Sequence, residues 1–214
     1  MTFIDQLRAQ IPQEVFTEQD IKVAFGTKSS VAVLSGLSRA LRAGDIIKLK
    51  RGVYLFDESL RRGPISKLTV ANRLLTPSYV SFESALSYHG LIPEAVYTTT
   101  SASPQRQKKS YQTPLGNFSY TYIPCHPFFI GVTQHKNEAK YLLANPVKAL
   151  FDLIYARRKI YETVDQLIDD WRVNQEELAT AIAPLSYREL EVLALSYKKK
   201  NTQKFFELLV RTLK

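Results

Sequence analysis

The change of hydrophobic period within residues 28–56 constrains the fold of this chain more than any other feature. From Ser29 to Gly44 the apolar residues recur at the spacing of an α-helix, and serine and glycine stand where helix caps are favoured. After Gly44 apolar and basic residues alternate, Arg51-Gly52 predicts a turn, and four apolar residues follow. A helix joined directly to a basic β-hairpin is typical of the recognition helix and wing of a winged helix-turn-helix.

The predicted helix has two different sides. With 3.6 residues per turn, the apolar side consists of Val33, Leu34, Leu37, Ala40 and Leu41. The opposite side is small, polar or basic, and consists of Lys28, Ala32, Ser35, Arg39 and Arg42. We expect the apolar side to face the core. The other side either contacts DNA or is an ordinary solvated surface, and the periodicity alone leaves both interpretations open.

The distribution of charge favours DNA as the partner of this segment. Residues 27–56 contain six basic residues and one acidic residue, in a chain of 214 residues with a formal net charge of +9. The residues predicted to bind DNA are Lys28, Ser29 and Ser30 at the helix start, Ser35, Arg39 and Arg42 along the helix, and Lys48, Lys50 and Arg51 on the hairpin. Helix N-termini bind phosphate, arginine pairs with guanine, and hairpin cations fix position on the backbone. The alternative is that the hairpin charges protect an edge strand.

The predicted fold class is α+β, with an N-terminal winged helix-turn-helix and a C-terminal domain of mixed β-sheet and helices. Helices predicted over residues 2–10 and 17–25 precede the recognition helix, which gives a first domain of residues 1–62. The polar segment 57–64 is predicted to be a linker. The second domain covers residues 63–214, β-rich over about 79–132 and helical over about 146–214.

A second basic cluster lies in a predicted loop at residues 105–110. It consists of Arg106, Lys108 and Lys109. These side chains either add contacts to DNA phosphates, meet an acidic partner surface, or are simply solvated. Two further basic runs, residues 157–159 and 198–200, follow predicted helices, where positive charge suits the helix dipole.

The sequence has no convincing catalytic or metal-binding constellation. Its three histidines are scattered without zinc spacing, and it has no glycine-rich phosphate loop. We therefore expect no enzymatic activity, no cofactor and no metal. One alternative is a nuclease-like cluster of Glu83, Lys148 and Asp152, although such residues at helix ends are more commonly caps and ion pairs.

Targeting signals are also lacking in the sequence. Cys125 is the only cysteine, so no intrachain disulfide is possible and a reducing compartment is the expectation. The first ten residues do not resemble a signal peptide, and no apolar stretch approaches the ~18–20 residues of a membrane span. These features predict a cytoplasmic protein without membrane contact.

Four segments, which follow one another along the chain, resemble the AbiEi-type regulators, which are the antitoxins of type IV toxin–antitoxin systems. They are residues 44–54, 79–101, 113–120 and 144–155. The family usually has an acidic residue after the proline that Pro146 matches, and Val147 stands there in this chain. The likeness fades beyond about residue 160.

This resemblance implies a repressor that binds double-stranded operator repeats at its own promoter through the N-terminal domain. It also implies a C-terminal domain that counteracts a nucleotidyltransferase-type toxin, with or without direct contact. The expected state is a monomer or weak dimer that pairs on DNA. Two alternatives are a stand-alone winged-helix regulator without a toxin and a DNA-targeted nuclease or transferase.

Overall fold

Helices and strands both build this chain, and the predicted α+β class is confirmed. The computed structural model describes residues 2–26, 29–135 and 140–212, with only the backbone of Thr212. The helices within these ranges are α1 (Phe3–Gln10), α2 (Glu18–Phe25), α3 (Ser30–Ala43), α4 (Lys67–Leu74), α5 (Phe82–Tyr88), α6 (Pro146–Arg157), α7 (Val164–Trp171), α8 (Gln175–Ile182), α9 (Tyr187–Leu195) and α10 (Lys200–Thr212). The strands are β1 (Val15–Thr17), β2 (Ile46–Lys50), β3 (Val53–Phe56), β4 (Tyr79–Val80), β5 (Thr98–Ser103), β6 (Lys109–Thr113), β7 (Gly116–Tyr122), β8 (Val132–His135) and β9 (Tyr141–Ala144).

The N-terminal part has three helices and a small antiparallel sheet. Capping boxes fix the starts of the first two helices, Thr2 with Asp5 for α1 and Thr17 with Asp20 for α2. The hairpin β2–β3 is joined by β1, which pairs with β3 to give the order β1-β3-β2. The sequence did not predict β1, because a three-residue strand is too short to show a period.

Strand β3 is buried on both of its faces. Tyr54 and Phe56 belong to an N-terminal core that also contains residues of α1, α2 and α3. Val53 and Leu55 belong instead to a larger core that continues through the C-terminal sheet and helices. This double burial explains why residues 53–56 are continuously apolar. In β2 the register shifts between Lys48 and Lys50, which interrupts the alternation expected from the sequence.

The predicted linker, residues 57–64, is hydrogen-bonded to the N-terminal part. Asp57 caps a single 3₁₀ turn at Glu58–Leu60. The Arg61 Nε donates to the carbonyl of Phe56 at 2.8 Å. The backbone N–H of Arg62 donates to Glu14 Oε1 at 3.1 Å. A domain boundary at residue 62 stays a prediction.

The larger sheet has the strand order β6-β7-β5-β4-β9-β8 among the described residues. The pairs β5–β7 and β4–β9 are parallel, whereas the central pair β5–β4 and the outer pairs β6–β7 and β8–β9 are antiparallel. The sheet reaches Ala144 and so extends beyond residue 132, where the sequence placed the end of the β-rich region. Strand β6 begins at Lys109, inside the segment 105–110 that was predicted to be a loop.

Over the described residues 140–212, five helices follow the sheet, each within about two residues of its predicted position. Asn145 is the N-cap of α6, and its Oδ1 accepts a hydrogen bond from the Lys148 N–H at 2.7 Å. Pro146 opens the first turn of the helix, where proline is favoured. Over residues 2–26, 29–135 and 140–212 no helix has the length and hydropathy that crossing a bilayer requires.

An ionic network lies in the centre of the larger core. Lys148 and Asp152, one turn apart on α6, have no exposed side-chain surface and are 3.0 Å apart. Tyr197 OH lies 2.7 Å from both Lys148 Nζ and Asp152 Oδ1. The other carboxylate oxygen accepts from Tyr79 OH at 3.0 Å and Ser81 Oγ at 2.6 Å. Burial, and then the Asp152 charge, raises the pKa of both tyrosines well above the usual value.

Candidate nucleic-acid interface

Helix α3 is bounded by the residues that the sequence predicted as its caps. Ser29 is the N-cap, although its side chain makes no capping hydrogen bond. Gly44 ends the helix with a left-handed φ of 82°, and the next N–H, from Asp45, donates to the carbonyl of Ala40 at 3.0 Å. The helix therefore stops abruptly and the chain turns directly into the hairpin.

The buried side of α3 is formed by Gly36, Leu37 and Ala40. At Gly36 the helix approaches α1 so closely that a Cβ atom would lie 2.4 Å from the Phe3 ring. Leu34 was predicted on this apolar side, and that prediction is wrong, since its side chain is 64% exposed. It lies at the edge of the apolar stripe, beside an open groove between α2 and α3 that the core does not fill.

The opposite side of α3 presents the three helical residues predicted to bind DNA. Ser35, Arg39 and Arg42 are all exposed. Arg42 Nη2 donates to Ser38 Oγ at 3.2 Å, whereas Arg39 forms no hydrogen bond or ion pair with another described residue. Both guanidinium groups can therefore reach a ligand in front of the helix. The first turn of α3 contains no acidic side chain.

The start of α3 presents Ser29 and Ser30, which are exposed. The Ser29 side chain does not cap this end, and an uncapped helix N-terminus favours an anion. Lys28, the remaining residue predicted at this position, lies outside the described residues.

The hairpin turn is fixed from behind by α2. Gly52 adopts a φ of 76°, and its carbonyl accepts a hydrogen bond from the Glu18 N–H at 3.0 Å. Burial, assisted by the Glu18 carboxylate, raises the pKa of Tyr54, so this phenol is neutral at physiological pH. The turn is thus anchored, and Arg51 is exposed at its tip.

The two hairpin lysines differ in their surroundings. Lys48 is exposed, but Lys50 is half-buried and places its ammonium 4.7 Å from the centre of the Tyr111 ring. Tyr111 belongs to β6, so this contact joins the hairpin to the larger sheet. Lys50 is therefore less available to a ligand than the sequence suggested.

The second basic cluster begins next to this contact. Arg106 and Lys108 are exposed in the connection between β5 and β6. Lys109 opens β6 and donates to Gln105 Oε1 at 2.6 Å. Because Lys109 and Tyr111 are two residues apart on one strand, the cluster adjoins the basic hairpin. Whether any of these side chains binds DNA stays a prediction.

The alternative cluster of Glu83, Lys148 and Asp152 is not assembled into one accessible site. Lys148 and Asp152 are enclosed by the buried network, whereas Glu83 pairs with Arg157 at 2.8 Å on the surface. No group of three His, Cys, Asp or Glu side chains among the described residues is arranged to hold a metal ion.

Comparison with known proteins does not identify a family for this chain. No protein-family model matches it, and no curated protein is significantly similar to it. The observations that bear on function are therefore the exposed residues of α3 and of the hairpin.

Proposed function

We propose that this chain is a DNA-binding transcriptional regulator whose N-terminal winged helix-turn-helix places α3 in the major groove of operator DNA. The observation that supports this most is the exposed side of α3, where neither Arg39 nor Arg42 forms an ion pair with a described acidic residue. Arginine is the commonest reader of guanine in the major groove. The exposed Lys48 and Arg51 on the anchored hairpin suit contacts to the phosphate backbone.

We further propose that the regulated operon is its own and encodes a nucleotidyltransferase-type toxin, which the C-terminal region counteracts. This part depends on the resemblance of residues 79–101, 113–120 and 144–155 to the type IV antitoxins. The proposal includes a cytoplasmic location and two copies of the chain on adjacent operator repeats. The test is to identify the gene next to that of this chain and, where it encodes a nucleotidyltransferase, to express it with and without this chain. A neighbouring gene of another class, or toxicity that the chain does not reduce, would contradict this part.

DNA binding is tested by titrating the full chain against a duplex of its upstream promoter at several salt concentrations. We expect Arg39→Ala to weaken binding by about 1–3 kcal/mol and to relax sequence preference at one base pair. Lys48→Ala should weaken all sequences alike and reduce the salt slope by about one. The matched control is Arg188→Ala, which removes the same charge from an exposed position on α9.

Two outcomes would contradict the proposal. One is equal affinity of Arg39→Ala, Arg188→Ala and the parent for the promoter. The other is an affinity that does not change with salt, because phosphate contacts release counterions and must make binding salt-dependent.

A further inference from the structure

We infer that Val31 and Leu34 read thymine in the operator, by contact with the C5-methyl groups exposed in the major groove. This inference depends on the proposed DNA binding and specifies which bases the first half of α3 recognises. It concerns two residues that the sequence did not identify as candidate contacts.

Both side chains are apolar and largely in solvent. Val31 is 74% exposed and Leu34 is 64% exposed. Neither belongs to the two hydrophobic cores of the described residues, so folding does not account for them. Single exposed apolar residues are ordinary, but Val31 and Leu34 are three residues apart on α3 and therefore neighbours on the helix surface.

Their position on the helix aligns them with the predicted DNA contacts. Val31 precedes Ser35 by four residues and Arg42 by eleven, about one and three helical turns, so the three share one side. Leu34 is three residues after Val31 and borders the same side. The first half of the exposed surface is therefore apolar or small, and the arginines lie in the second half.

The chemistry of the major groove assigns different bases to these halves. The N-terminal residues of a recognition helix contact base edges. Thymine is the base that presents a methyl group in the major groove, and it is recognised by apolar contact, whereas guanine offers two acceptors to arginine. Val31 and Leu34 thus predict A·T pairs beneath the start of α3, followed by a guanine near Arg39 or Arg42.

A second copy of this chain fits the apolar surface less well than DNA. Pairing through this side of α3 would place Arg39 and Arg42 of both copies, four positive charges, in one interface. Like charges within one interface oppose association. In a single chain the same two arginines attract a polyanion.

The test starts from duplexes that the full chain selects from a random DNA library. Each thymine of a selected duplex is replaced singly by deoxyuridine, which removes only the methyl group, and the Kd is measured by fluorescence anisotropy. Removing a buried methyl should weaken the parent about fourfold at one or more positions. The effect at those positions should disappear in Val31→Ala or Leu34→Ala, and should persist in the control Leu195→Ala, whose side chain is 53% exposed on α9.

The possible results are distinguishable. A parent that binds selected duplexes equally well with thymine or deoxyuridine at every position overturns this inference and leaves DNA binding intact. The inference is also overturned if Val31→Ala and Leu34→Ala both retain the full effect of the thymine methyl group on the Kd. It is likewise overturned if these variants weaken self-association of the chain and leave the methyl effect unchanged. If no duplex is selected, the proposed function and this inference both fail. Because both substitutions are at exposed positions, circular dichroism should show the parental fold.

Discussion

At the scale of single residues, the buried Asp152 carboxylate depends on hydrogen-bond donors from several elements. Its two oxygens accept hydrogen bonds from Lys148, Tyr197, Tyr79 and Ser81, which come from α6, from the strand β4 and its end, and from the segment between α9 and α10. The sequence predicted helix caps and ion pairs as the common role for such residues. The i, i+4 spacing on one helix permits the pair, but its complete burial depends on tertiary packing.

Asp152→Asn should therefore destabilise the fold strongly. The neutral amide leaves the buried ammonium of Lys148 without a counter-charge, and breaking a buried pair costs about 3–5 kcal/mol. The free energy of unfolding in urea measures this loss. The matched control is Glu83→Gln, which removes the surface pair with Arg157, and it should change stability by less than about 1 kcal/mol. Equal effects of the two substitutions would contradict the prediction.

His89 should make the fold less stable in acid. Burial lowers its pKa below the usual value, partly offset by the hydrogen bond between Nε2 and the carbonyl of Ala144 at 2.9 Å, and His135 adds a smaller lowering effect. As pH falls below about 6.5, the unfolded imidazole takes up a proton before the folded one does. The free energy of unfolding should thus decrease from pH 7 towards pH 5, and less so in His89→Gln. A parental pH slope in the variant would exclude this origin.

At the scale of elements, α3 shows where sequence periodicity succeeds and where it stops. Its ends were predictable, because Ser29 and Gly44 are residue types with strong positional preferences. The 3.6-residue period also predicted that Ser35, Arg39 and Arg42 lie on the side of the helix opposite its apolar side. The exposure of Leu34 was not, because a residue at the edge of an apolar stripe is buried only if a neighbouring helix covers it.

Gly44→Ala should weaken the fold through backbone conformation alone. A Cβ atom at this position would contact nothing within 4 Å, so the left-handed φ of 82° is the only obstacle to a side chain. That conformation costs an alanine about 1–2 kcal/mol. Gly63→Ala is the control, since a Cβ there is equally free of contacts and its φ is not in the left-handed range. Thermal unfolding should separate the two variants, and identical midpoints would contradict the prediction.

At the scale of the whole molecule, the two hydrophobic cores meet at β3. The apolar run over residues 53–56 predicted the returning strand of the hairpin, but not that each face would belong to a different core. Such long-range packing has no local sequence signal. The continuation of the sheet through β9 was missed for the same reason, and β1 was missed because it is too short to show a period. Helices that have caps were located within about two residues.

Leu55→Ala should therefore destabilise regions far from residue 55. Leu55 is fully buried in the larger core, and truncating a leucine in such a place costs about 2–5 kcal/mol. We expect the urea midpoint reported by Trp171 fluorescence to decrease, although Trp171 lies on α7. An unchanged Trp171 transition, with a separate earlier change in circular dichroism, would show that the two parts unfold independently.

The double burial of β3 also has a consequence for the orientation of the C-terminal region if α3 binds a promoter as proposed. Between α3 and the C-terminal helices, the described residues are joined through β3, whose two faces belong to the two cores. If α3 binds in a groove of operator DNA as proposed, this packing would orient the C-terminal region relative to the duplex. The spacing of two operator repeats occupied side by side would then depend on the size of the chain, and a partner of the C-terminal region would approach the duplex from one direction.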